Sequence, residues 1–331
     1  MRCRSGFAWR RPGRAPEQKA APVSEYVLAA LFALFVWWFS TGAIIYLDGL
    51  SRPTFRWSML AATALLIVGF CGLATTSADP TVTGAYVAFT CGLVVWGWHE
   101  IAFLMGFVTG PRRESCPEGC NGWRRVGYAI QTILYHELAI VVTAVAVVAI
   151  TWGSTNQIGT WTFVVLWIMR LSAKLNVFLG VPNLAEGFLP EHLDYLKSYF
   201  SRRPMNLLFP VSISAATAVA TLLVAEAFTV GVSGFEAVGL TLLATLLALA
   251  ILEHWFLVLP LSDAALWRWA LEARERGRST AGHSGHDEVA RARRDAGRRP
   301  GHVLSGGQCR LPHALIAAAP DLAPSALRRR P

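Results

Sequence analysis

Apolar positions in this chain fall into long unbroken runs. They do not recur with the period of two that marks a strand exposed on one face. Seven runs stand near residues 26–47, 57–75, 84–108, 126–150, 160–180, 206–228 and 235–260. At about 1.5 Å per residue, each is long enough as a helix to cross roughly 30 Å of hydrocarbon. Backbone groups in lipid must be paired within the segment, and these runs are too long and too uniform for barrel strands. The pattern predicts an all-α, polytopic integral membrane protein, a bundle of about seven transmembrane helices.

Composition agrees. The chain is 54% hydrophobic and 15% charged, whereas a soluble domain carries about a quarter charged residues. Many of the thirteen Trp, among them Trp37, Trp38, Trp57, Trp152, Trp161, Trp267 and Trp269, stand near run ends. That placement suits interfacial anchors better than a base- or quinone-stacking platform, and no nucleic-acid partner is expected.

Basic residues sort onto alternate loops. Arg52 and Arg56 follow the first run, Arg112, Arg113, Arg124 and Arg125 the third, and Lys197, Arg202 and Arg203 the fifth. The intervening loops 75–83, 152–159 and 229–234 contain no Lys or Arg. The positive-inside rule then puts the N-terminus in the periplasm and the C-terminus in the cytoplasm. Residues 1–22 oppose this, since Arg2, Arg4, Arg10, Arg11, Arg14 and Lys19 would have to be translocated. This segment is expected to be a non-native or disordered leader, with translation starting at Val23. Residues 23–270 form the helical domain, and 271–331 a basic tail without hydrophobic periodicity, expected to be disordered. The "LSGGQ" at 304–308 lacks an accompanying phosphate-binding loop and carries no weight.

Ionisable residues interrupt four of the runs. His99 and Glu100 stand in "VVWGWHEIAFLMGF", His136 and Glu137 in "ILYHELAI", Arg170 and Lys174 in "IMRLSAKLN", and Glu253 and His254 in "ILEHWF". Such residues are costly in a bilayer and ordinarily face the bundle interior. Counting from the expected helix ends places all of them roughly 9 to 15 Å below one surface, as a single layer. Three carboxylates and two fixed cations can pair there, leaving three imidazoles. Three uses compete: a polar network that specifies helix packing, a metal site of His and carboxylate, and axial ligation of a tetrapyrrole by His99, His136 or His254. Against the metal, adjacent His and Glu diverge by about 100° around a helix and cannot both face one ion.

Two loops add detail. "RRESCPEGCNGWRR" at 112–125 offers two thiols, half of a tetrahedral zinc site, and reads as a basic loop facing lipid or a partner. After Pro190, residues Leu193, Leu196, Tyr199 and Phe200 share one face opposite Asp194 and Lys197. This predicts an amphipathic helix lying on the membrane surface.

Several of these stretches carry a resemblance. They are "SEYVLAALFALFVWWFSTGAIIYLDGL" (24–50), "AFTCGLVVWGWHEIAFLMGFVTGPRR" (88–113), "QTILYHELAI" (131–140), "SAKLNVFLGVPNL" (172–184), "FLPEHLDYLKSYF" (188–200), "RRPMNLLFPVS" (202–212) and "EHWFLVLPL" (253–261). Together they resemble the PuhE family, photosynthetic complex assembly protein 2 of anoxygenic phototrophic bacteria. The similarity runs from about residue 23 to 270 and leaves out the leader and the tail.

The resemblance implies an assembly factor of the bacterial inner membrane, cytoplasmic or intracytoplasmic. Its implied role lies in making the reaction centre and core light-harvesting complex and in bacteriochlorophyll supply. Membrane lipid, reaction-centre or light-harvesting subunits and other assembly factors are the implied partners. It supplies no catalytic residues. Joined to the charged layer, it makes His99, His136 and His254 candidate ligands of bacteriochlorophyll, a precursor or haem, held by Glu100, Glu137, Glu253, Arg170 and Lys174. The alternatives are a membrane-embedded, metal-dependent enzyme of pigment biosynthesis using the same residues, and a purely structural chaperone.

Overall fold

Each apolar run becomes one α-helix in the computed structural model, which describes residues 22–184, 189–259, 267 and 272. In chain order these are α1 (Val23–Asp48), α2 (Phe55–Thr76), α3 (Val82–Leu104), α4 (Gly122–Thr151), α5 (Ile158–Leu179), α6 (Leu208–Ala227) and α7 (Gly234–Phe256). All seven are long and apolar enough to span a membrane, and no strand occurs among the described residues. The chain is a multi-pass membrane protein. The leader before Pro22 and the tail after Glu272 lie outside the described residues.

Helix ends follow local chemistry. Thr81 caps α3 by accepting from the Gly84 N–H at 3.0 Å. Ser233 and Glu236 form a reciprocal capping box on α7. The third run continues apolar to 108, yet α3 stops at Leu104, because Gly106 takes a left-handed φ of 79° and lets Phe107 N–H bond back to the Ala102 carbonyl. The last run likewise ends as a helix at Phe256, short of the expected 260.

Helices α3 and α7 are the most enclosed, with 56% of their apolar windows buried against 11 to 22% for the others. Helix α3 is central and touches α1, α2, α4, α5 and α7. Small residues permit this. A Cβ on Gly92 would stand 2.6 Å from the Gly159 carbonyl, and one on Gly159 would stand 2.8 Å from the Ala88 carbonyl. α3 and α5 therefore cross backbone to backbone, the usual device for helices that gain little from burying apolar surface in lipid. One core joins Ala29, Ala33, Ala85, Ala88, Phe89, Val238 and Leu242 from α1, α3 and α7. α4 makes the sparsest contacts of the seven helices.

Residues 191–199 depart from the expected surface α-helix. They form a 3₁₀ helix, and Leu193, Leu196 and Tyr199 turn inward at 1, 6 and 3% exposure against Phe103 and its neighbours. The spacing explains it, since residues three apart eclipse one another at three residues per turn. Asp194 and Lys197 pair on the outer face at 2.7 Å.

Much of the basic loop 112–125 serves to hold this segment. Arg125 donates to the Tyr199 carbonyl at 2.6 Å and to Ser201 Oγ at 2.7 Å. Arg112 Nε donates to Tyr199 Oη at 2.9 Å, and that bond raises the Arg112 pKa. The Cys116 thiol is pushed up by burial and by neighbouring Cys120, so it stays a thiol at neutral pH.

Candidate functional site

The four interrupted helices do meet. Arg170 on α5 lies within electrostatic reach of Glu100, Glu253 and Glu137, from α3, α7 and α4. Its guanidinium donates to Glu100 Oε2 at 2.9 Å, and Lys174 Nζ, one turn on, donates to Glu137 Oε1 at 2.7 Å. The i, i+4 spacing of Arg170 and Lys174 puts both cations on one face of α5, each toward a different helix. Glu253 accepts from the Trp37 indole N–H at 2.9 Å. Trp37 is 7% exposed, and Trp267 is 4% exposed with its ring 5.4 Å from that of Trp37, so these two tryptophans pack inside instead of anchoring at an interface.

The helix ends are not level. Glu100 stands four residues before the end of α3, while His136 stands fourteen after the start of α4. Depth counted from helix ends is therefore not what aligns the layer. Contact aligns it, and one loop helps. Thr109 O accepts from the His136 backbone N–H at 2.9 Å. Gly110 lies so close to α4 that a Cβ there would fall 2.7 Å from the Thr132 carbonyl. The turn after α3 thus pins α4 at the height of His136.

The three histidines separate into two environments. His254 has both ring nitrogens engaged, Nδ1 with the Ala250 carbonyl and Nε2 with Ser172 Oγ, each at 2.9 Å. Since a carbonyl only accepts, Nδ1 carries the proton, and Nε2 meets the Ser172 hydroxyl, which also lies 2.9 Å from Ser212 Oγ. His99 and His136 are different. Each is 1% exposed, and none of their four ring nitrogens has a hydrogen-bond partner among the described residues. The two rings face one another across the α3–α4 seam, centroids 6.3 Å apart and planes at 78°.

Aromatic rings close the seam. Trp98 and Phe163 lie 5.1 and 6.0 Å from the His99 ring, and Phe103 lies 4.6 Å from His136. Lys174 Nζ sits 5.8 Å above Phe103, so the ion pair to Glu137 forms one wall of the same compartment. Buried polar groups are ordinarily satisfied, and four orphaned nitrogens in one place mark a spot built for something besides packing.

The donor set limits what that is. Two imidazoles are half of a four-coordinate shell, and no group of three or more His, Cys, Asp or Glu able to hold an ion occurs among the described residues. Glu100 and Glu137 are turned to their cations. The adjacency of His and Glu has its expected effect, imidazole and carboxylate of each dyad facing different neighbours. For a tetrapyrrole the chemistry fits, because a magnesium or iron macrocycle needs one imidazole nitrogen with a free lone pair. One of the two histidines would serve as that ligand.

Sequence reasoning missed Trp37 and Ser172, the partners of Glu253 and His254. Trp37 carried the ordinary signal of an interfacial aromatic and Ser172 carried none.

The family model described as "Protein of unknown function (DUF3623)" matches residues 23–278. A relative from Rhodobacter capsulatus, named "Uncharacterized 30.4 kDa protein in puhA 5'region", is 42% identical over 252 residues, which is 75% of this chain and 92% of the relative. No solved structure matches.

Proposed function

The chain belongs to the DUF3623 family, and from that membership we propose that it is a membrane-embedded assembly factor of the bacterial photosynthetic apparatus. In this reading it holds a tetrapyrrole pigment at the α3–α4 seam through His99 or His136. The naming of its Rhodobacter capsulatus relative by the puhA 5' region supports a place among photosynthesis genes. It also agrees with the PuhE resemblance of the dyad-bearing stretches. Partners in this reading are reaction-centre and light-harvesting subunits. The basic loops lie in the cytoplasm by the positive-inside rule.

One observation carries the assignment of the site. His99 and His136 are buried, adjacent and unpartnered at all four ring nitrogens, whereas His254 in the same layer is fully bonded. A packing network would satisfy its histidines as it satisfies His254. The bound tetrapyrrole would supply the coordinating metal. The protein supplies imidazole, aromatic walls and the Glu137–Lys174 and Glu100–Arg170 pairs that fix the helices on either side. A metal-dependent enzyme built on these residues is less well supported, because Glu100 and Glu137 each hold a cation, only Glu100 Oε1 is left unpartnered, and no group of three or more possible ligands gathers among the described residues.

The test is complementation in a phototrophically grown deletion strain, with His99→Phe, His136→Phe and His254→Phe compared at matched membrane levels of the protein. The proposal expects reduced reaction-centre and core light-harvesting absorbance for the first two at normal protein level. His254→Phe should instead lower the amount of protein, because it removes the buried bond to Ser172 that ties α7 to α5. Wild-type assembly with His99 and His136 both replaced would defeat the proposal.

A further inference from the structure

A second feature lies on the side of the bundle that carries the basic loops. A cavity of about 500 Å³ opens between the α1–α2 turn, the end of α3 and the 3₁₀ helix. Arg52, Arg56 and Arg113 line it, and no Asp or Glu among the described residues does. None of the three arginines takes part in an ion pair among the described residues. Arg56 lies over the Trp57 ring at 5.5 Å, and Arg113 donates to the Gly106 carbonyl at 3.2 Å. All three side chains are exposed, so their guanidinium donors are available to an anion that enters the cavity.

Two hydroxyls lie behind the cavity wall. Thr109 is 1% exposed and lines the cavity. Its Oγ1 and the Tyr195 Oη are buried, without a hydrogen-bond partner among the described residues and with no surface open to the cavity. Burial pushes the Tyr195 phenol up, which keeps it a proton donor at neutral pH. The opposite wall is apolar, with Phe55, Met105 and Phe107. The volume is that of a site for a whole small molecule and far exceeds a bare oxyanion.

We propose that this cavity binds an amphiphile whose phosphate head carries a net negative charge, with Arg52, Arg56 and Arg113 taking the phosphate and Phe55 and Phe107 covering the start of its apolar chain. Arginine suits this because its fork of N–H donors matches two phosphate oxygens at once. The position at the ends of spanning helices suits a ligand whose head is in water and whose body is in lipid. The site is separate from the histidine seam, and the proposal stands or falls independently of pigment binding.

The experiment is calorimetric titration of delipidated protein in maltoside detergent with dihexanoyl phosphatidylglycerol, dihexanoyl phosphatidylcholine and inorganic phosphate. The anionic lipid is expected to bind one site at least tenfold more tightly than the zwitterionic one of equal chain length. Arg52→Gln and Arg56→Gln, which remove no hydrogen bond among the described residues and so leave folding intact, should each weaken that binding about tenfold, the effect of losing one charge-assisted contact. Lys197→Gln should leave it unchanged, because Lys197 is paired with Asp194 on the outer face. If inorganic phosphate displaces the lipid in an Arg52- and Arg56-dependent way, the phosphate site stands and its source is a soluble phosphate compound. If it does not compete, the source is the lipid headgroup. Equal binding of the two lipids, or wild-type affinity in both arginine variants, would overturn the proposal.

Discussion

Replacing Glu137 by Gln isolates what the charged layer does for the fold. The Glu137–Lys174 pair is 2.7 Å long, and its side chains are 23 and 21% exposed, so water screens it poorly. Removing one member of a buried pair costs about 3 to 5 kcal/mol, mostly because the surviving charge is left uncompensated. Here the lower end applies, since Lys174 also feels Glu100 and the glutamine can still accept its hydrogen bond. About 3 kcal/mol corresponds to a fall of roughly 6 to 12 °C in melting temperature for a bundle of this size.

Lys174→Met should cost about as much, because it strands the carboxylate. The double variant carries no stranded charge and should recover to within about 1 kcal/mol of the wild type. Melting followed by tryptophan fluorescence in a mild detergent measures all four corners of this cycle. Losses in the single variants that simply add in the double variant would refute the reasoning, because the two side chains would then not be acting as a pair.

Other expectations follow from the same geometry. Arg125→Ala removes the bonds to the Tyr199 carbonyl and Ser201. Limited proteolysis should then cut between residues 200 and 206 several-fold faster, with the spanning helices intact. Gly92→Leu should prevent α3 and α5 from closing on each other and sharply lower the yield of folded protein in the membrane, whereas Gly97→Leu, whose Cβ would meet nothing within 4 Å, should be tolerated. Because the Cys116 thiol is raised, less of it is thiolate at any given pH than for an ordinary cysteine. Its alkylation at pH 7.5 should be slow and should keep rising with pH after a free thiol has levelled off.

The seven spans were legible because length and apolarity alone decide them. Their ends were not, since a left-handed Gly106 stops α3 inside an unbroken apolar run. The stretch at 191–199 shows why a shared face is not enough: spacings of three fit an α-helix and a 3₁₀ helix alike, and packing against Phe103 chose the second. All eight ionisable residues of the layer could be found from their cost in lipid.

How they group could not be found that way. Helix rotation decides that His254 meets Ser172 while His99 and His136 meet each other, and no periodicity encodes rotation. The arginine-lined cavity was hidden for a different reason. Arg52, Arg56 and Arg113 are separated by up to sixty-one positions in the chain and served fully as topology markers, so nothing in the sequence joined them.

The most direct test of the central claim is the metal and pigment content of the protein purified in mild detergent from phototrophically grown cells. The account predicts magnesium or iron near one per chain, with the matching tetrapyrrole absorption, and its loss when His99 and His136 are both replaced by alanine while His254→Ala retains it. Well-folded protein carrying neither metal nor pigment, or a His99, His136 double alanine variant that keeps both, would contradict it.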